Sequence, residues 1–264
     1  MDNELAGRTV AITGGTSGIG LATAKRFLEK GANVSICGRD EERMNFALEE
    51  IKNKQNESRL IGVKCDVLNK SQVEDFVKMT VDRFGGVDTL VNNAGQARLS
   101  GFDDTKDDEW REELELKFFS IIYPSKSFRP YLEKSGTGAI VCVGSLISQQ
   151  PEPKLVATSA ARAGQLNLIH SMAMEFAPTI RINSILIGTV DSGQWRRRFE
   201  AEKVIDGSYE SWMIKQAQIK GIPLGRFGKP EEAANAIFFL GTPLSSFTTG
   251  STIDISGGYS RHVG

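Results

Sequence analysis

Two hydrophobic rhythms take turns along this chain. Short runs rich in β-branched residues are "RTVAIT" (8–13), "ANVSIC" (32–37), "RLIGVKC" (59–65), "VDTLVNNAG" (87–95), "GAIVCVGS" (138–145), "IRINSILIG" (180–188) and "STIDIS" (251–256); each reads as a strand. Between them lie segments with the 3.6-residue period of helices. They run from Gly18 to about Lys30, over 41–54 with apolar Met44, Ala47, Leu48 and Ile51, over 71–85 with Ser71 as the expected N-cap, from about 107 to 133, and over 159–177. Strands separated by helices make βαβ units. The pattern therefore predicts an α/β fold with a doubly wound parallel sheet covered on both faces. No linker, repeat or charge block interrupts the series, so residues 1–264 read as a single domain. The one irregular stretch is a helix-prone insertion at about 189–228. It follows the sixth strand, where a lid would cover a site at the strand carboxyl ends.

Composition narrows the function classes. Of 264 residues, 40% are hydrophobic and 25% charged, enough apolar material for a sizeable core. With 32 basic and 33 acidic side chains the net charge is −1, which argues against nucleic acid or an acidic membrane surface as partner. The three cysteines, Cys37, Cys65 and Cys142, sit in or at the end of apolar runs and read as buried, reduced thiols, which suits a cytoplasmic location. The opening "MDNELAGRTVAITGG" has no signal-peptide pattern, and the longest apolar stretch, "FFSIIYP" from Phe118, is too short to span a bilayer.

Candidate chemistry begins at "TGGTSGIG" (13–20), between the first strand and the first helix. Gly14 permits a tight turn, Gly18 lets backbone approach a diphosphate, and Gly20 lets the helix pack closely on the strand, with the helix N-terminus facing the phosphates. The spacing G-x-x-x-G-x-G, together with "NNAG" (92–95) and the terminal "DISGG" (254–258), resembles the short-chain dehydrogenase/reductase family over essentially the whole chain, and within it the 3-oxoacyl-carrier-protein reductase-like members. The resemblance implies a seven-stranded Rossmann sheet, a nicotinamide cofactor and a homo-oligomer, dimer or tetramer. It also implies site residues. Gly14, Thr16, Ser17, Gly18 and Ile19 would contact the diphosphate and adenosine phosphate, and Asp66 and Val67 the adenine. Asn93, Ala94 and Gly95 would flank the adenosine ribose. Gly188 and Val190 would border the carboxamide, although Ile187-Gly188 stands where the family usually has Pro-Gly.

Strand two ends "ICGRDEE". Gly38 occupies the place where an NAD-dependent enzyme puts a carboxylate for the ribose 2′-hydroxyl, and Arg39 follows it. A guanidinium pairs with a 2′-phosphate that a carboxylate would repel, so NADP is expected over NAD.

The family's catalytic set is a tyrosine with a lysine four residues on, a serine, and an asparagine. Here only Ser145 matches. Thr158 stands at the tyrosine position, Arg162 at the lysine position and Lys117 at the asparagine position. A threonine hydroxyl is far less acidic than a phenol of pKa about 10, so Thr158 is no general acid near neutrality. Arg162 keeps its charge and can still bridge the cofactor ribose hydroxyls, but relays no proton. Lys117, desolvated near an arginine, can have its pKa pulled toward 7 and serve as donor; a solvated helix lysine is the other reading. Tyr209, in the insertion, is a further candidate acid, whereas Tyr123 and Tyr131 read as packing. "WRRR" (195–198) reads as a solvated helix face, or else as a partner for an anionic substrate tail. Two functions stay open: an NADP(H)-dependent oxidoreductase acting on a carbonyl, an alcohol or an activated double bond, and an NADP(H)-binding protein with little turnover.

Overall fold

The computed structural model describes residues 4–202 and 207–261. Seven strands form one parallel sheet: β1 (Thr9–Thr13), β2 (Asn33–Gly38), β3 (Leu60–Lys64), β4 (Thr89–Asn92), β5 (Gly138–Ser145), β6 (Ile180–Ile187) and β7 (Thr252–Ile255). Their order across the sheet is β3-β2-β1-β4-β5-β6-β7. All five β1 residues are buried, as expected for a strand covered on both faces, whose sequence is continuously apolar rather than alternating. On one face α3 (Lys70–Phe84), α4 (Asp107–Lys134) and α5 (Val156–Phe176) build a core around Phe76, Phe128 and Ile169. On the other, α1 (Gly18–Glu29), α2 (Glu41–Ile51) and α8 (Pro230–Gly241) bury Phe27, Met44 and Phe238. The chain runs outward from β1 to β3 and then crosses back to β4. The carboxyl ends of β1 and β4 therefore flank a topological switch point, where a doubly wound fold leaves a crevice.

Several boundaries differ from the sequence reading: α2, for one, ends at Ile51 rather than 54. The N-cap of α3 is Asn69, not Ser71: the Asn69 side chain accepts from the backbone N–H of Gln72 at 3.2 Å, so the cap lies about half a turn earlier. The fourth strand ends at Asn92, because the backbone N–H groups of Asn93 and Ala94 leave the ladder for the Thr13 hydroxyl, at 3.0 and 3.1 Å. Finally, α5 begins at Val156 rather than 159, which places Thr158 inside its first turn.

The insertion after β6 contains α6 (Gly193–Ala201) and α7 (Tyr209–Lys220); its residues 203–206 lie outside the described residues. It carries its own core of Trp212, Met213, Ala217, Ile222 and Phe227, with Trp195, Phe199, Tyr209 and Tyr259 packed against it. Its neck is fastened by two backbone bonds, Gly228 N–H to Thr189 O at 3.0 Å and Asp191 N–H to Gly228 O at 2.9 Å.

Candidate active site

A cleft of about 1420 Å³ opens at the switch point. Its floor begins with the glycine loop. Gly14 has φ +65°, and a Cβ on Gly20 would lie 2.2 Å from the Gly14 carbonyl, so neither position accepts a side chain without breaking the loop–helix junction. Asn93 braces this loop from β4, donating to the carbonyls of Thr13 at 3.0 Å and Gly14 at 2.9 Å. Thr16, Ser17, Gly18 and Ile19 line the cleft, as do the adjoining Asn93, Ala94 and Gly95.

Toward β2 and β3 the cleft is bordered by Arg39, Asp66 and Val67. The Asp66 carboxylate accepts from the N–H of Leu68 at 3.0 Å, holding the turn that presents it. Gly38 has a steric reason here: a Cβ would sit 2.7 Å from the Thr16 methyl. A side chain at 38 would therefore have to displace the Thr16 side chain of the phosphate loop. Arg43, one helical turn after Arg39 and unremarked in the sequence reading, borders the same end.

Toward β5 and β6 stand Ser145, Gly188 and Val190. The Ser145 hydroxyl makes only a long 3.4 Å bond to the Ile187 carbonyl, which leaves it available to another partner. The N–H of Gly188 donates to Ile255 at 3.0 Å, and a Cβ there would meet Ser256 at 2.8 Å, so the glycine is needed whether or not proline precedes it.

The other three candidate catalytic residues do not line this cleft. They form a polar layer beneath it. Lys117 is 1% exposed, which overturns its reading as a solvated helix lysine. Its ammonium donates to Glu113 Oε2 and to the carbonyl of Gln96, both at 2.8 Å. The Thr158 hydroxyl, also 1% exposed, donates to the same Glu113 oxygen at 2.8 Å and accepts from the N–H of Arg98 at 3.1 Å. Arg98 continues the layer outward to Glu109 and Glu112, at 2.7 and 2.6 Å. Arg162, expected to bridge the cofactor ribose hydroxyls, has its guanidinium donating to the Val143 carbonyl at 2.9 Å and to Gln165 at 2.7 Å, and lies close to Gly95. Burial, with the Arg162 charge nearby and against the pull of Glu113, lowers the Lys117 ammonium to about 8. Burial likewise lowers Arg162 to about 10. The shift foreseen for Lys117 is therefore present, and its cause is the one expected.

Glu113 joins Lys117 and Thr158, and sequence reasoning passed over it. The available signal was its i,i+4 spacing to Lys117 on one helix face. For Arg98 and Gln165 no such signal existed. Tyr209 is not a free acid: its hydroxyl is held by Asp191, and its ring packs on Phe199 and Trp212. Desolvation, then Asp191, pushes its phenol well above the ordinary value. Cys37, Cys65 and Cys142 are free and buried. Among the described residues no helix is long and apolar enough to cross a membrane.

A parallel sheet in this order, with a glycine cradle at its switch point, defines a dinucleotide-binding protein. The comparisons with known proteins agree. A family model described as enoyl-(acyl carrier protein) reductase matches residues 14–260. The 3-oxoacyl-(acyl carrier protein) reductase of Chlamydia pneumoniae is 32% identical, over 98% of this chain and 99% of its own. A short-chain oxidoreductase of Pseudomonas aeruginosa PAO1, described as containing an atypical catalytic center, is 53% identical over 98% of this chain and 100% of its own, with a TM-score of 0.95. Its NADPH-bound structure superposes with a TM-score of 0.94, covering 98% of this chain and 99% of that one. The chain belongs to the short-chain dehydrogenase/reductase family, whose members are nicotinamide-dependent oxidoreductases.

Proposed function

We propose that the protein is an NADP(H)-dependent oxidoreductase acting on a carbonyl, an alcohol or an activated double bond with an altered catalytic set. The observation that carries this reading is the cleft itself, in which the glycine cradle and the free Ser145 hydroxyl share one wall-to-wall space. Bound there, the cofactor would supply or accept a hydride. Gly14, Thr16, Ser17, Gly18 and Ile19 hold its phosphates. Arg39 pairs with the 2′-phosphate, beside Arg43, and no carboxylate competes from position 38, where Gly38 packs against Thr16. Asp66 and Val67 hold the adenine, Asn93 to Gly95 flank the adenosine ribose, and Gly188 and Val190 border the carboxamide. The NADPH-bound Pseudomonas relative supports this choice of cofactor.

Ser145 donates to the substrate oxygen. Lys117 or water handles the proton, the Lys117 ammonium being lowered to about 8 by burial. Arg162 supplies positive potential from below, and Thr158 holds Glu113 in place. The chain acts as one dinucleotide-binding domain with the 189–228 insertion as its lid, assembled as a homo-oligomer in the cytoplasm, with a small molecule as substrate.

One observation favours a second reading, a cofactor-binding protein with little turnover: the Lys117 and Thr158 polar atoms are spent on Glu113 and the 96–98 backbone rather than turned into the cleft. Calorimetric titration and a carbonyl and enone panel separate the two. NADPH should bind at least about tenfold more tightly than NADH, the weight of one charged hydrogen bond, and Arg39→Ala should lose that preference. Lys117→Ala should abolish turnover with cofactor affinity intact. Equal affinities for the two cofactors would overturn the NADP assignment, and NADPH that binds but is never oxidised would select the second reading.

A further inference from the structure

In the "WRRR" segment Arg196 and Arg197 are exposed, as a solvated face requires, while Trp195 and Arg198 are half-buried. Trp195 is packed edge-on to Phe227 at 4.7 Å inside the insertion's core, and Arg196 stacks over Tyr209 at 4.4 Å. Arg197 and Arg198 border the cleft, on the β5–β6 side that also holds Ser145. The Arg198 guanidinium carbon lies 4.5 Å from the centre of the Trp195 ring, a cation–π contact that holds it in place.

The same cleft is also lined by Lys154, which has φ +62°, the only positive φ of a non-glycine among the described residues. Such a conformation costs on the order of 1 kcal/mol in a non-glycine and points to a functional constraint. The two carboxylates bordering this half are already engaged. Asp191 accepts from the Tyr209 hydroxyl, while Glu152 accepts from the Tyr259 hydroxyl at 3.1 Å and lies 3.9 Å from the Lys220 ammonium. Lys154, Arg197 and Arg198 have no carboxylate partner among the described residues. Leu99, Leu116 and Ile147 add apolar surface to the lining, beside polar Gln96, Thr189 and Ser192.

We infer that the lid arginines Arg197 and Arg198, with Lys154 on the same cleft, select a substrate that carries an anionic group, a carboxylate or a phosphate, on an apolar body. This rests on the proposed oxidoreductase reading and adds the substrate class. Arg197 presents a planar fork suited to either anion, and Lys154 adds a point charge. The anion would sit at the cleft mouth while the reacting carbon lies deeper, beside Ser145.

A binding measurement tests this without requiring turnover. Three matched probes are 4-acetylbenzoate, its methyl ester and 4-acetylphenyl phosphate, titrated into the NADPH-loaded full-length protein by tryptophan fluorescence. At least one of the two anions should bind about tenfold or more tightly than the ester, and added salt should erode the difference. R197Q/R198Q should abolish the preference and leave ester affinity unchanged, while Arg196→Gln, on the Tyr209 side, should keep it. Which anion wins distinguishes carboxylate from phosphate. No preference for either anion, or a preference that survives R197Q/R198Q, overturns the inference. A loss of NADPH affinity in R197Q/R198Q with the anion preference unchanged would also overturn it, by assigning these arginines to the cofactor diphosphate. NADPH binding in the wild type, measured in the same titration, keeps failure of the underlying reading distinct.

Discussion

At position 158 a threonine hydroxyl donates to a buried glutamate and receives a backbone N–H, so the place where the family keeps its acid has become a fastening point for the loop after β4. Lys117, at the asparagine position, holds the same loop through the Gln96 carbonyl. The two substitutions are therefore one arrangement, joined at Glu113, and reversing part of it should fail. T158Y/R162K must fit a phenol into a site 1% exposed and displace the Glu113 contacts. We expect carbonyl reduction flat or lower and a stability loss of about 1–3 kcal/mol, the usual cost of overpacking. Steady-state kinetics and a denaturant titration check this; a large gain in reduction would mean a disabled tyrosine–lysine site instead. The pH dependence of stability follows from Lys117. Its folded value of about 8 lies below the unfolded value, so the folded state pays for the buried charge at all pH below about 8. Between about 8 and 10.5 the unfolded chain binds more protons, and stability rises with pH. Relative to Lys117→Met, the wild type should gain stability across that window; urea midpoints at pH 7.5 and 10 measure it, and a constant difference would contradict the burial of the charge.

At the scale of elements, periodicity was legible wherever one physical effect acted alone. All seven strands and the glycine loop follow from local pattern, because a strand buried on both faces needs an apolar run and a phosphate loop needs its glycines. Helix starts were less legible, since several polar residues compete for the same cap. "NKSQ" offers both Asn69 and Ser71, and the asparagine takes the role through its bond to Gln72. Asn69→Ala should cost about 1 kcal/mol and Ser71→Ala much less, a difference that paired thermal melts can read. The residues that line the cleft toward β1 to β4 were legible because each follows the glycine loop or a strand end. The layer of Glu113, Arg98, Thr158 and Lys117 was not, because it joins residues up to 60 positions apart, and nothing local marks Arg98 as its member. The arginines of α6 show the same limit. Their number suggested a charged face, and only the packing of Trp195 decides which of them turn toward the cleft.

At the scale of the whole molecule, α4 and α5 form a slab with one face spare. A Cβ on Gly164 would lie 2.7 Å from the Phe118 ring, so the glycine lets these helices lie against each other without a gap. Their inner sides are consumed by the core around Phe128 and Ile169. Their outer side still exposes Leu114 at 44%, Phe119 at 36% and Met174 at 82%, with the Phe119 ring tilted on Tyr123 at 5.0 Å. Apolar side chains gathered on adjoining helices above a filled core are the surface that self-association covers. The resemblance to the family assigns the same two helices to subunit contacts. We therefore expect light scattering at micromolar concentration to give a dimer or tetramer of the 28.9 kDa chain. Placing charge in the contact, in F119E/M174E, should shift that mass toward the monomer while NADPH binding survives, because neither residue borders the cleft. A wild-type mass of 28.9 kDa alone would leave the apolar face of α4 and α5 without a second copy to cover it.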